Sequence, residues 1–352
     1  MKAFGFLSFG HYRSNGRNFY DAATMLHQAI ELAKNADEIG VNGAYFRVHH
    51  FVSQASAPIP LLSAIAASTK NIEVGTGVID MRYENPLYLA EEAGTLDLIA
   101  DKRVALGISR GAPEAAQRGW EAFGYQAEDP KGKDLARDKF LQFLSAVRGT
   151  PQAKAAPYEE QYPHLYVPGK QLPVFPQSQG LDKRIWWGAG TRESAVQAAQ
   201  DGVNLMSSTL VTEATGQPLS ELQAEQMQHY RDAWKEAGHD WTPRVSVSRS
   251  VFPIVSATDA QLFGNTADSD SIGYIDGKNA TFGRTYAAEP DVLIEQLKND
   301  AAVQAADTLM LTIPNQAGVE VNTSILNNFA KYVAPELGWE DNRQGLVTGY
   351  EI

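Results

Sequence analysis

The chain has 352 residues, with 30 Lys and Arg against 42 Asp and Glu for a formal charge of −12, and it contains no cysteine. Apolar residues make up 43% and charged residues 20%, the balance of a chain that buries a core, which excludes general disorder and collagen-like or coiled-coil architecture. The negative charge, with no Lys/Arg stripe to override it locally, argues against a nucleic-acid partner, and the missing cysteines remove disulfides, thiolate nucleophiles and Cys-ligated metal centres from the available chemistry.

Ala3–Phe9 reads as a first strand. It is interrupted by Gly5 and Ser8 and runs into His11 and Arg13 without a small-residue cleavage pattern, so a cytoplasmic protein is expected. Asp21 is a plausible N-cap for a helix with Leu26, Ile30, Ala33, Ala36 or Asp37, and Ile39 along one side, stopped at Gly40. The Ala57–Ala67 stretch is broken by Pro58, Pro60 and Ser63 and falls far short of the roughly 20 apolar residues that span a bilayer. Further strands are expected at Ala44–Val48, Ile72–Ile79, Val104–Ile108, Arg184–Gly188, Val203–Met206, Arg244–Val255 and Thr308–Ile313. Helices are expected at Pro86–Ile99, Arg192–Gln200, Asp291–Ala302 and Val319–Val333.

This alternation favours an α/β fold, a (β/α)8 TIM barrel formed as one domain over residues 1–352, rather than an open sheet. Two long insertions, 109–183 after the fourth strand and 256–307 after the seventh, follow strand C-termini, where barrel enzymes keep their active sites, and are candidate pocket walls. The first contains a helical stretch, Asp134–Val147, and then an extended, proline-rich segment from Pro151 to Pro176. The second is rich in Gly, Asn and Asp around Gly264–Gly283 and reads as mobile.

Candidate chemistry clusters at the strand ends. In Arg47-Val48-His49-His50-Phe51 adjacent side chains point to opposite faces, so the histidines do not converge on a metal; one of them faces the barrel mouth as a general acid or base, or else serves as a structural histidine. The glycines of Gly75-Thr76-Gly77-Val78 mark either a bulge under a flat ligand or close packing of a neighbouring element. The fourth strand exits into Ser109-Arg110-Gly111. The fifth exits into a Gly-rich turn, Gly188 to Ser194, that opens a helix and leaves backbone N–H groups free to cradle a monophosphate with Arg110 as counter-charge; a plain capped helix is the alternative. Arg249 faces the mouth or is paired outside. No GxGxxG follows a strand, and no P-loop or GxSxG elbow occurs.

Taken together, these motifs resemble the bacterial luciferase-like monooxygenase superfamily. The resemblance rests on Asp37-Glu38-Ile39-Gly40, His49-His50-Phe51, Val74 to Val78, Asn85-Pro86-Leu87 with Ala90-Glu91-Glu92, Leu96-Asp97, Arg103-Val104, Leu106-Gly107, Arg110-Gly111, and Gly188 to Ser194 with Ala198-Ala199 and Gly202. It implies a flavin-dependent monooxygenase that takes reduced FMN from a separate flavin reductase and oxidises a small organic substrate with O2 through a C4a-hydroperoxyflavin, incorporating molecular oxygen. F420 is the alternative cofactor, for hydride transfer; a non-catalytic flavin-binding protein and a metal-dependent barrel hydrolase using His49 and His50 are the other readings. The resemblance also implies a homodimer, a non-proline cis bond at Gly77–Val78 beneath the flavin ring, phosphate contacts from Arg110, Gly190, Thr191 and Ser194, and His49 as the catalytic residue. Such sequences often read Glu-His-His where this chain has Val48-His49-His50, which removes a charge partner from the active-site region. Phe6, Phe46, Trp120, Trp186 and Trp187 are candidate pocket lining.

Overall fold

The computed structural model describes residues 1–13, 20–275 and 277–345. Eight parallel strands form its centre: β1 (Ala3–Ser8), β2 (Gly43–Phe46), β3 (Glu73–Asp80), β4 (Val104–Ser109), β5 (Ile185–Ala189), β6 (Asn204–Ser207), β7 (Val245–Pro253) and β8 (Thr308–Ile313). Neighbours pair in the order β7-β8-β1-β2-β3-β4-β5-β6, and β6 pairs back onto β7, so the sheet closes into the expected (β/α)8 barrel and its main ring has no edge. Each strand is buried on both faces. Phe4, Phe6, Phe46, Val74, Leu106 and Trp187 face the helices in the main core, whereas Leu7, Tyr45, Ala105, Trp186, Met206 and Met310 fill the barrel interior. Phe6, Phe46 and Trp187 are therefore core residues of the helical layer.

The helices are α1 (Ala22–Ile39), α2 (Pro58–Ser68), α3 (Pro86–Ile99), α4 (Lys133–Val147), α5 (Arg192–Asp201), α6 (Leu219–Ala237), α7 (Ala257–Phe263), α8 (Pro290–Lys298), α9 (Ala301–Ala305) and α10 (Val319–Tyr332). Asp21 caps α1, its carboxylate accepting from Thr24 N–H at 2.8 Å; Ala33 and Ala36 of the expected side are buried, but the rest of the buried stripe is Met25, Ala29 and Leu32, and Leu26 is exposed. The expected helix Asp291–Ala302 is two helices, because the Asp300 carboxylate accepts from the N–H groups of Ala302 and Val303 and so caps a new start.

Part of each long connection belongs to the barrel itself. Within 109–183, α4 packs against α3 as the fourth barrel helix, and the proline-rich segment is held at its base by a short antiparallel pairing of Ala153–Lys154 with Gln171–Leu172. Within 256–307 the Gly-rich stretch expected to be mobile folds instead as a hairpin, Ser271–Ile275 with Lys278–Phe282, that pairs onto Leu210–Val211, and Thr285–Ala288 then runs parallel to β7. Arg249 points away from the mouth: its guanidinium holds Asp300 at 2.7 and 3.1 Å and donates to Gln223 Oε1 at 2.8 Å, while the Tyr286 hydroxyl donates to the same carboxylate.

The floor of the barrel is ionic. At the strand N-termini, Arg244 donates to Glu73 Oε1 at 2.5 Å and Oε2 at 3.2 Å, Tyr45 Oη donates to Glu73 Oε2 at 2.6 Å, and the guanidinium lies 4.7 Å over the Trp186 ring. Burial, with the Glu73 carboxylate beside it, holds the Tyr45 phenol well above its ordinary pKa, so Tyr45 stays a donor. Among the described residues no helix is long and apolar enough to cross a membrane.

Candidate active site at the barrel mouth

Regular pairing of β2 ends at Phe46, but the extended run continues, with Arg47 N–H donating to Ser8 O and His49 N–H to Ala55 O, both at 2.9 Å. The two-residue alternation that turns Tyr45 into the barrel turns Arg47 and His49 to the same side. Arg47 lies 4.7 Å over the Phe9 ring, and its pKa is lowered by burial against an opposing pull from Glu114. His49 Nδ1 stands 3.2 Å from Glu114 Oε2, with side-chain exposures of only 12% and 3%. His50 turns away and stacks on Tyr83, with ring centroids 4.1 Å apart, and its burial holds the imidazole pKa below its ordinary value. The two histidines diverge, and among the described residues no group of three or more metal-ligating side chains gathers.

The third strand is buried along its length except at Gly77 and Val78, which are partly exposed. Its register on β4 shifts between Thr76 and Ile79, and the Gly77–Val78 peptide is cis. The two glycines have different reasons. A Cβ on Gly75 would sit 2.1 Å from Ala105 O, so close backbone approach requires glycine there, whereas Gly77 belongs to the bulge and meets only the Leu7 side chain. The Val78 side chain passes inward, close to Gly107 and Gly188.

Beyond β3 a fixed post holds the first insertion. Asp80 binds Arg82 in a fork, at 2.9 Å to Nε and 2.5 Å to Nη2, and Arg82 donates to Ala112 O at 2.7 Å and Lys131 O at 3.2 Å while lying 4.7 Å over Trp120. Burial raises the Asp80 pKa, and the Arg82 guanidinium opposes the rise. Gly111 has φ +92°, and a Cβ there would lie 2.2 Å from Asp80 Oδ2 and 2.4 Å from Arg82 Nη2. Gly111→Ala is therefore expected to cost more than about 1 kcal/mol, measured by urea unfolding; wild-type stability would contradict this view of the post.

The exits of β4 and β5 lie side by side, since Ile108 pairs with Trp187. Arg110 is exposed and has no ion pair among the described residues. Thr191 is the N-cap of α5: its Oγ1 accepts from Ser194 N–H at 3.1 Å, and Ser194 Oγ accepts from Thr191 N–H at 3.3 Å. Gly190, just before this capping box, has open space where a side chain would be. The helix is thus capped by its own residues, and the turn also faces the exit of Arg110. Glu213 adds a carboxylate beside the first turn, paired with Arg192 at 2.9 Å.

Of the aromatic candidates only Trp120 reaches the mouth region, edge-on to Tyr83 at 6.4 Å, while Trp186 lies deep in the barrel. Glu114, Asp80, Arg82 and Tyr83 were not expected. Glu114 reaches His49 by tertiary folding of the insertion, and no local spacing announces it. A cleft of 710 Å3 between Arg249, Arg284, Tyr286 and Gln296 lies on the outer side of β7 and includes none of the mouth residues.

Comparison with known proteins supplies the family. The oxygenase component of a flavin-dependent trigonelline monooxygenase from Acinetobacter baylyi is 26% identical over 243 residues, covering 68% of this chain and 62% of the relative, so the chain spans under two thirds of that relative's length. In fold, the chain is similar to the FMN-bound oxygenating constituent of 3,6-diketocamphane monooxygenase from Pseudomonas putida, a type II Baeyer–Villiger enzyme, with TM-score 0.67 and 18% identity over 96% of this chain and 98% of that one. It is also similar to an F420-dependent secondary alcohol dehydrogenase, with TM-score 0.61 and 14% identity over 96% and 99%. The profile of the luciferase-like monooxygenases matches residues 4–311, and the chain belongs to that family.

Proposed function

We propose that the chain is the oxygenase component of a two-component flavin monooxygenase, using reduced FMN and O2 to oxidise a small organic substrate. The observation that carries this reading is that three features sit at the C-terminal ends of neighbouring strands of one barrel: an exposed Arg110 after β4 and the open Gly190 after its neighbour β5, the partly exposed bulge at Gly77–Val78, and His49 after β2.

The residues present fit a phosphorylated planar cofactor. The Arg110 fork and the backbone at Gly190, which no side chain shields, would take the phosphate directly, and the Thr191 and Ser194 hydroxyls, which donate to Ser194 Oγ and Thr191 O, would join them by turning out of their capping box. The side-chain-free surface of Gly77 and the side chain of Val78 would support the ring. Reduced FMN, when bound, supplies the electrons that activate O2. The chain's own part is to orient, to exclude water and to move a proton. The insertion brings Glu114 against His49, and the His49 imidazole accepts a proton at Nε2, the nitrogen left over from its contact with Glu114, and can then return it. A separate reductase accords with the component named in the Acinetobacter relative.

The test uses FMN reduced chemically and mixed with O2. Hydrogen peroxide should form more slowly with the protein than from free flavin; formation at the free-flavin rate would remove the oxygenase reading. A side-by-side fluorescence titration with FMN, FAD and F420 addresses the cofactor, and exclusive binding of F420 would move the proposal to hydride transfer.

A further inference from the structure

Val48 offers His49 no charge partner in the strand itself, and a carboxylate reaches the imidazole from elsewhere. It comes from a different element, since Glu114 lies on the non-helical start of the first insertion, 65 residues beyond His49. Its side chain is 3% exposed, and the contact is a single one, from Oε2 to Nδ1 at 3.2 Å. The carboxylate is set among charged and titratable groups from several elements: Arg47 and His50 from beyond β2, Asp80 at the end of β3, and Arg82 and Tyr83 just after it. His11, beyond β1, feels both Arg47 and His49. Burial pushes the Tyr83 phenol up to about 12, with Glu114 adding to the rise, so it remains a neutral neighbour.

An ionised carboxylate only accepts, so the atom facing it must carry a proton. We infer that Glu114 is the positioning residue of His49, fixing the tautomer with its proton on Nδ1 and leaving Nε2 turned to the mouth as the working nitrogen. It also ties the state of the imidazole to the seating of the insertion, because the Asp80–Arg82 post grips the carbonyl of Ala112, two residues before Glu114. In the same way a carboxylate orients the general base of many hydrolases. The description of Nε2 as the working nitrogen rests on the function proposed above; the tautomer itself does not.

The test is nitrogen-15 NMR of the protein labelled at histidine, above the pH at which imidazoles protonate, with the His49 signals assigned by their loss in His49→Gln. The wild type should show Nδ1–H as the dominant form. Glu114→Ala should shift the tautomer ratio toward Nε2–H by about tenfold or more, the equivalent of a lost hydrogen bond to a charged acceptor. Glu114→Gln, which keeps the volume, should fall between the two. Wild-type protein dominated by Nε2–H, or a ratio unmoved in both variants, would overturn the inference. FMN affinity, measured in parallel, should be unchanged in the Glu114 variants, and a loss as large as that of Arg110→Ala would mean that Glu114 serves the cofactor instead. A wild type that binds no flavin at all would end the functional proposal while leaving the tautomer result standing.

Discussion

Replacing Glu73 with alanine is expected to destabilise the protein by about 3–5 kcal/mol, the cost of breaking a buried ion pair by removing one partner. The carboxylate accepts at once from the Arg244 guanidinium and the Tyr45 hydroxyl, and the Glu73 and Arg244 side chains are 2% and 4% exposed. The attraction between them offsets desolvation of both charges; with the anion gone, the buried guanidinium keeps its desolvation cost and loses its main compensation. Tyr45, which burial keeps protonated, loses its acceptor as well. Urea unfolding measures the effect as a lowered midpoint at unchanged slope. The triple variant Tyr45→Phe, Glu73→Leu, Arg244→Met separates the penalty of a broken pair from any positive contribution of the ions, since matched apolar replacement of a buried pair is often neutral. Recovery of most of the loss is expected. A single variant within about 0.5 kcal/mol of wild type, the range of ordinary surface substitutions, would contradict this account of the floor.

The parts of the molecule legible in the sequence are those whose cause is local. Strands buried on both faces read as apolar runs, and Val104–Ile108 or Thr308–Ile313 could hardly be anything else. Asp21 and the Thr191–Ser194 box announce helix starts because capping chemistry lies within three residues. Elements with ambiguous local signals were less legible. The helix α2 is apolar along most of its length, with prolines in its first turn, so it offers no clear two-sided pattern, and α6 carries many polar side chains within a stretch that suggested no strand. In α1 two neighbouring stripes have equally helical spacing, and only the packing against the barrel decides that Met25 rather than Leu26 is buried.

The site divides along the same line. Alternation alone separates His49 from His50, but it does not say which of them turns to the mouth; that is decided by the stacking of His50 on Tyr83. The neighbouring exits of β4 and β5 follow from the order of barrel strands, which brings the Arg110 and Gly190 segments to one rim. Glu114, Arg82 and the floor pair Glu73–Arg244 could not be found this way, because each depends on contacts between residues far apart in the chain. The Glu73–Arg244 contact joins positions 171 residues apart, and the strand pattern says only that both begin a run. For Arg249 the pattern permits either face until Asp300 is seen to cap a helix and accept the guanidinium together.

Arg110→Ala is expected to weaken FMN binding by roughly 10- to 150-fold while leaving riboflavin binding unchanged. The range corresponds to about 1.5–3 kcal/mol for hydrogen bonds to a charged group. Riboflavin has the same ring system without the phosphate, so the comparison isolates the anionic tail from the ring's contacts with the Gly77–Val78 bulge. Arg110 is the clean position for this test, since it is exposed and no ion pair among the described residues is lost with it. Thr191→Ala is not equivalent: it also removes the N-cap of α5, a change that costs about 0.5–2 kcal/mol of stability whether or not a cofactor binds there. The Arg110 effect should shrink as salt rises, because an exposed guanidinium–phosphate contact is screened at high ionic strength. His49→Ala, at the exit of β2 and two strands from Arg110 at the exit of β4, should change FMN affinity far less. Equal losses for FMN and riboflavin in Arg110→Ala would place the guanidinium against the ring rather than the tail, and a larger loss in His49→Ala than in Arg110→Ala would reverse the two roles.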